Sequence, residues 1–486
     1  MSTLRNAATG LGALLLFVSG CGTDPTTTAI PSQFHIEIIA VNGKPPPTGD
    51  DPPLPANRGD VTETWTFTVD VRTPSGEPDP TFNGVVRLSS RPGAISKVLG
   101  EDAFGRNLRL VNGKGVGSVE LTAVYGPSRL WVEDLGYLPA KPGTKPLCSN
   151  GRDDNGDGLV DFPADPGCAF ADDETEDGGT YAASASNAVQ YELPKISDVQ
   201  GNGPASPYPF EGIEISASAP QELIVTRVAS DGFYVTDLNA KEMANGYNHI
   251  FAFNFSTPAK MRVCDRVTFL SGTINEFFGF TELSFPSFQL DPILEGQLCE
   301  KMPAPNLIDK DRLLNPVEME KIESSLVRIE GYHVAANFGP KPVDPKNNLF
   351  APDTSNCDIN GDGQVDFTLP DEGSCSEQCT KDPECSEWTA YSARGNYKVS
   401  KGPTEMIQIQ TGTVSDFDPV AHKGLLLDAV TGTLRNFSGG NLNWTIETRC
   451  PEDLVCGHDG CVPFVKLSTD SCLRPRTKDD NDEGTN

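Results

Sequence analysis

From Thr64 to Thr73 the chain reads TWTFTVDVRT, with Trp65, Phe67, Val69 and Val71 at every second position. A period of two puts these four side chains on one face of a half-buried strand. Short runs of the same kind follow, GVVRLSS, GSVELTAVYG and SRLWVEDLGY, with glycine and proline between them. Over residues 33–140 this spacing predicts a β-sandwich of about 100 residues. Further runs, LIVTRVASDGFYVTD, HIFAFNF and CDRVTFLSGTINEFFGFTELSF, predict a second β-unit over 190–305. The stretch SGTINEFFG, residues 271–279, returns as TGTLRNFSG at 431–439, with Gly, Thr, Phe and Gly at the same offsets and Leu434 in the place of Ile274. The match predicts that 306–455 repeats the 190–305 unit, opening on SLVRIEGYHV and interrupted by a cysteine-rich insertion at 353–386. Residues 141–185 read as an acidic linker with one structured knot, and 456–486 as a cysteine-containing acidic tail.

The alternation over 33–140 resembles that of bacterial immunoglobulin-like domains of surface proteins, without the cysteine pair of antibody domains. That likeness implies a spacer or adhesion module. In the second unit, the entry DVQG with SP behind it, the strand GFYVTD, the run CDRVTFLSGTINEF and the following TEL resemble the OB-fold domain beside the catalytic domain of secreted bacterial nucleases. The resemblance covers roughly 100 residues and implies a five-stranded Greek-key barrel. The expected fold is therefore mainly β: an N-terminal immunoglobulin-like sandwich, then two OB-like barrels with cysteine-rich acidic loop insertions.

The first twenty residues change the setting. Arg5 is the only charge before LGALLLFVSGC, an apolar run too short to span a bilayer. It reads as a secretory signal. The ending VSGC, Val18 to Cys21, resembles the lipobox of bacterial lipoproteins, which implies cleavage before Cys21 and acylation there; residues 21–32 then form a tether. Several acyl chains on one residue make a stable anchor. Gly22 after the cysteine favours the outer membrane, facing the periplasm or the outside. With Cys21 lipidated, twelve of the thirteen cysteines remain, an even number in an oxidising compartment. Proximity groups them as Cys148 with Cys168, Cys264 with Cys299, then Cys357, Cys375, Cys379 and Cys385, then Cys450, Cys456, Cys461 and Cys472. Zinc at CGHDGC (Cys456, His458, Cys461) is the minor alternative to disulfides.

The acidic segments carry the clearest chemistry. From Asp153 the chain reads DDNGDGLVD and from Asp358 DINGDGQVD, both followed by Phe. Acidic or amide oxygens at alternating positions, with glycine after the third, are the first nine residues of an EF-hand-type calcium loop. The expected ligands are Asp153, Asn155, Asp157, the carbonyl of Leu159 and Asp161, and in the second copy Asp358, Asn360, Asp362, the carbonyl of Gln364 and Asp366. Val160 and Val365 are the apolar pegs that such loops tuck against a core. Position twelve is Ala164 or Leu369 instead of glutamate, with Asp165 and Asp371 just beyond as substitutes. Neither loop has flanking helices, so both look more like the calcium loops of dockerins and thrombospondin repeats. A structural role follows, with affinity on the order of 10⁻⁴ to 10⁻³ M.

The chain contains no HExxH, no GxSxG and no P-loop, its five histidines are scattered, and no catalytic residue is assigned. A net charge of −30 disfavours nucleic acid as a partner. Residues 191–300 hold fifteen Phe and Tyr, which suits base stacking, but also 14 acidic against 6 basic side chains. The resulting expectation is a membrane-anchored, non-catalytic binding or scaffold protein for a protein or glycan ligand. Its rivals are an OB-fold lipoprotein that binds extracellular DNA and a calcium-dependent hydrolase with a cryptic carboxylate site.

Overall fold

The computed structural model describes residues 33–73, 75–136, 138, 140–176, 181–209, 211–292, 299, 301–335, 395–402, 405–411, 417, 419, 422, 424–438 and 441–456. Its first unit is a sandwich. Strands β1 (Gln33–Val41), β2 (Glu63–Arg72), β4 (Ala94–Leu99) and β7 (Lys114–Thr122) form one sheet in the order β1-β2-β7-β4. The other holds β3 (Val85–Arg91), β5 (Ala103–Phe104), β6 (Asn107–Arg109), β8 (Pro127–Asp134), β9 (Ser184–Ala185) and β10 (Val189–Gln190), in the order β10-β8-β3-β6-β5 with β9 also on β8. The alternation seen in the sequence is the cause: Trp65, Phe67, Val69 and Val71 all lie in the core between the sheets. Each such side chain contributes about 1.5–3 kcal/mol by leaving water.

Strands β9 and β10 correct the expected boundary. Both pair with β8, so the sandwich runs past residue 140 and the acidic segment is an insertion that leaves the sheet and returns to it, not a linker between domains. Tyr191 fixes the return. Its hydroxyl accepts from Trp65 Nε1 at 3.1 Å and donates to Glu63 Oε2 at 2.6 Å.

Two closed barrels follow. The first contains β11 (Gly212–Ile215), β12 (Leu223–Ala229), β13 (Gly232–Asp237), β14 (His249–Phe253), β15 (Arg266–Glu276) and β16 (Thr281–Asp291). The second contains β17 (Asn306–Leu307), β18 (Leu326–Val334), β19 (Asn396–Gly402), β20 (Glu405–Gln410), β21 (Leu426–Ser438), β22 (Asn441–Glu447) and β23 (Leu454–Val455). The first closes as β12-β13-β14-β16-β15 and back to β12, the second as β18-β19-β20-β22-β21 and back to β18. In both rings the third and fourth strands pair parallel and every other pair is antiparallel. Corresponding positions of the nine-residue repeat sit in β15 and β21, with Ile274 and Leu434 both in barrel cores. The repeated glycine has a steric reason, because a Cβ on Gly432 would come within 2.3 Å of the Glu447 carbonyl oxygen. Among the described residues, four short α-helices, α1 (Ile196–Gln200), α2 (Ala240–Asn245), α3 (Lys310–Leu313) and α4 (Pro316–Glu320), cap the connections. Among the described residues no helix is long and apolar enough to cross a membrane.

The barrels meet along a buried polar seam. Glu447 of β22 pairs with Arg227 of β12, lies 3.7 Å from Arg435 of β21, and accepts from the Tyr234 hydroxyl at 3.3 Å. Arg435 also reaches Asp231 at 3.3 Å, and its guanidinium lies over the rings of Phe251 and Phe280 at 4.7 and 5.2 Å. The two arginines hold the Glu447 carboxyl below its ordinary range despite its burial. Nearby, the Thr281 N–H donates to Glu323 at 3.2 Å, and three carboxylates gather there: Glu276 from the first barrel, Glu320 and Glu323 from the second. Burial, reinforced by Glu276, pushes the Glu320 carboxyl up to about 7; burial with the charges of Glu320 and Glu276 raises that of Glu323 well above its ordinary range.

Removing Glu447 leaves two buried guanidinium groups without their shared partner. Glu447→Ala is expected to lose about 3–5 kcal/mol in denaturant unfolding of the barrel pair. A loss below about 1 kcal/mol would show that the seam does not hold the barrels. The Glu320 carboxyl titrates higher folded than unfolded, so its stabilising contribution is complete below about pH 4.5 and is lost as the pH rises through about 7. Glu320→Gln should therefore raise the thermal midpoint at pH 8 and leave it unchanged at pH 4; an equal effect at both would remove this linkage.

Candidate metal centre

The acidic insertion forms a closed knot on the edge of the sandwich. Cys148 sits in a one-turn 3-10 helix, Leu147–Ser149, and is bridged to Cys168 with Cα atoms 5.7 Å apart. Closing a loop of this length contributes roughly 3 kcal/mol in the chain-entropy model. Asp173 ties the knot to the sandwich exit. Its buried carboxylate accepts from the N–H groups of Leu138, Ala169 and Thr175, and the Cys148 N–H donates to its carbonyl.

Within the knot, residues 153–161 coil as the sequence pattern implies. The Asp153 carboxylate accepts from Gly156 N–H at 2.6 Å and Gly158 N–H at 2.9 Å. Asn155 Oδ1 accepts from Asp157 N–H, and Asp157 Oδ1 from Leu159 N–H. Gly156 and Gly158 take φ of 82° and 91°, which favours glycine, and Asp161 is held at 54°. Asp161 Oδ2 accepts from Gly151 N–H, while its Oδ1 is buried without a partner. The side chains at positions one, three and five thus curl the loop by capping their own backbone. A carboxylate oxygen that accepts one N–H keeps a lone pair for a cation, so each of these oxygens is of the donor type that a hard ion such as calcium takes.

One expectation is changed by the tertiary structure. Val160 is 43% exposed and Leu159 40%, so Val160 is no peg in a core; no pair of helices flanks the loop to cover it. The carboxylates of Asp153, Asp157 and Asp161 do not form a mutually close group. Among the described residues the donor atoms that do gather, all within 4.8 Å of one another, belong to Asp165, Cys168 and Glu176. Glu176 lies fifteen residues past the loop, in a run, DDETED, whose composition looks like plain linker. Its Oε2 accepts from Asp154 N–H at 2.6 Å, and Asn155 Nδ2 donates to its carbonyl at 2.7 Å.

The second bridge, Cys264 to Cys299, forms as proximity suggested. Cys450 and Cys456 are both disulfide-bonded, so the Cys456 sulfur is not a zinc thiolate. The second acidic loop with Asp358, Asn360, Asp362, Gln364 and Asp366 lies outside the described residues, as do Cys21, Cys357, Cys375, Cys379, Cys385, Cys461 and Cys472.

The Asp153 hydrogen bonds give a direct test. In Asp153→Ala, amide hydrogen exchange at Gly156 and Gly158 should speed up by tenfold or more, with the sandwich strands unaffected. Unchanged exchange would mean that the loop holds its shape without that carboxylate.

No family model matches the chain, and no curated protein matches it. Among solved structures, it is weakly similar to the crystal structure of BcpA, the major pilin subunit of Bacillus cereus, at 10% identity and a TM-score of 0.15, over 53% of this chain and 66% of that chain. A likeness at that score carries no argument about fold or function.

Proposed function

We propose that the chain is an exported lipoprotein, anchored through Cys21, that acts as a non-catalytic binding or scaffold protein with structural calcium. The observation that carries this reading is the Cys148–Cys168 knot, in which a disulfide closes a loop whose oxygens recur at calcium-ligand spacing. Bridged cysteines at 148–168 and 264–299 suit an oxidising compartment. The buried seam between the barrels supports a stiff support in place of independently moving modules.

A protein or glycan ligand fits the surface better than nucleic acid. Arg227 and Arg435, cations of the two barrels, are buried against Glu447 and cannot meet phosphates. On the first barrel Phe255 and Phe285 are 66% and 69% exposed, with ring centroids 5.4 Å apart. Rings presented this way suit an apolar protein patch or the face of a sugar.

Calcium in the knot has a measurable consequence. Limited proteolysis with chelator should cut between residues 148 and 176 at least several-fold faster than with millimolar calcium, while the barrels stay intact. Equal cleavage rates would end the structural-calcium reading.

A further inference from the structure

The donor group beneath the loop has a chemistry of its own. Asp165 and Glu176 are 1% and 3% exposed, and their carboxylates lie with Cys168 Sγ inside 4.8 Å of one another. Cys168 is held in its disulfide, so its sulfur offers no anionic ligand. One oxygen of each carboxylate is satisfied: Asp165 Oδ1 by Gly167 N–H at 2.6 Å and Glu176 Oε2 by Asp154 N–H at 2.6 Å. The other two, Asp165 Oδ2 and Glu176 Oε1, are buried and have no hydrogen-bond partner among the described residues. Backbone packing enforces the approach, since a Cβ on Gly167 would come within 1.7 Å of the Glu176 carbonyl oxygen.

We propose that Asp165 and Glu176 form a divalent-cation site, calcium by the chemistry of the donors, distinct from the 153–161 loop. Two neighbouring carboxylates out of water repel each other and leave lone pairs unmet. A hard dication neutralises both charges and uses both unpartnered oxygens. The site is separate for a geometric reason. Oxygens about 2.4 Å from one ion lie at most about 4.8 Å apart. The close group includes Asp165 and Glu176 but not Asp153, Asp157 or Asp161, so as folded one ion does not reach both sets. Because Glu176 also receives the Asp154 N–H, an ion here ties the loop to the far end of the knot.

The test is calorimetric titration of the oxidised full-length chain with calcium alone, beside Glu176→Gln, Asp157→Ala and the double variant. Glutamine keeps an oxygen for the Asp154 N–H, and Asp165→Asn serves as an independent second removal of charge. The expected result is one equivalent lost in Glu176→Gln, one in Asp165→Asn, and one more in the double variant than in Glu176→Gln. If Asp157→Ala loses nothing while Glu176→Gln still loses one, the loop reading fails and this site stands. Unchanged binding in both Glu176→Gln and Asp165→Asn overturns the proposal, as does absence of calcium binding by the unaltered chain. Where Asp157→Ala by itself also loses one equivalent, a double variant that loses only one overturns it, making Glu176 a ligand of the loop's own ion.

Discussion

The arrangement of the two barrels depends on one buried carboxylate. Glu447 is shared between Arg227 of the first barrel and Arg435 of the second, and all three side chains are almost fully removed from water. Such a trio is costly to desolvate, and the hydrogen bonds around it offset part of that cost, with Nε of both arginines left unmet among the described residues. Here Thr433 accepts from Arg227 at 2.9 Å, Tyr234 donates to Glu447, and Asp231 meets Arg435. The aromatic cluster of Tyr234, Phe251 and Phe280 supplies the apolar floor under the guanidinium groups. Sliding either barrel would separate Arg227 from Glu447, so the contact selects one relative placement instead of a range.

The knot solves an opposite electrostatic problem. The seam balances charges of both signs, whereas the knot concentrates carboxylates of one sign. Some are settled by the backbone: Asp153 and Asp157 accept N–H groups within the loop, and Asp173 accepts three from around the knot. Others are left open, with buried oxygens on Asp161, Asp165 and Glu176 that no described residue meets. The disulfide keeps these groups near one another at a distance that repulsion alone would increase. A scaffold held by a balanced seam at one place and by a like-charged knot at another responds to salt and cations mainly at the knot.

Repetition accounts for much of the remaining architecture. Two stretches with the same strand order and the same parallel closure share a glycine where a neighbouring strand passes too near for a side chain. At Gly272 the obstruction is the Leu283 side chain, and at Gly432 it is the Glu447 carbonyl. The repeat therefore keeps a glycine at a close crossing in each barrel, although what crowds it differs.

Alternation in TWTFTVDVRT was sufficient to identify a sandwich strand, because period-two burial is a local property of the chain. The SGTINEFFG and TGTLRNFSG pair made the second barrel legible, because a close strand crossing demands glycine wherever it recurs. The spacing of Asp153, Asn155 and Asp157 announced a coiled acidic loop, because those side chains cap residues two to five positions away. Tertiary structure alone decided the rest. Strands at 184–185 and 189–190 return to a sheet that begins at Val85, and two-residue strands carry no pattern of their own. Glu176 joins Asp165 only because the backbone at Gly167 passes against it. Arg227, Arg435 and Glu447 resemble ordinary polar strand residues in the sequence; the docking of one barrel on the other removes them from water and makes each depend on the others.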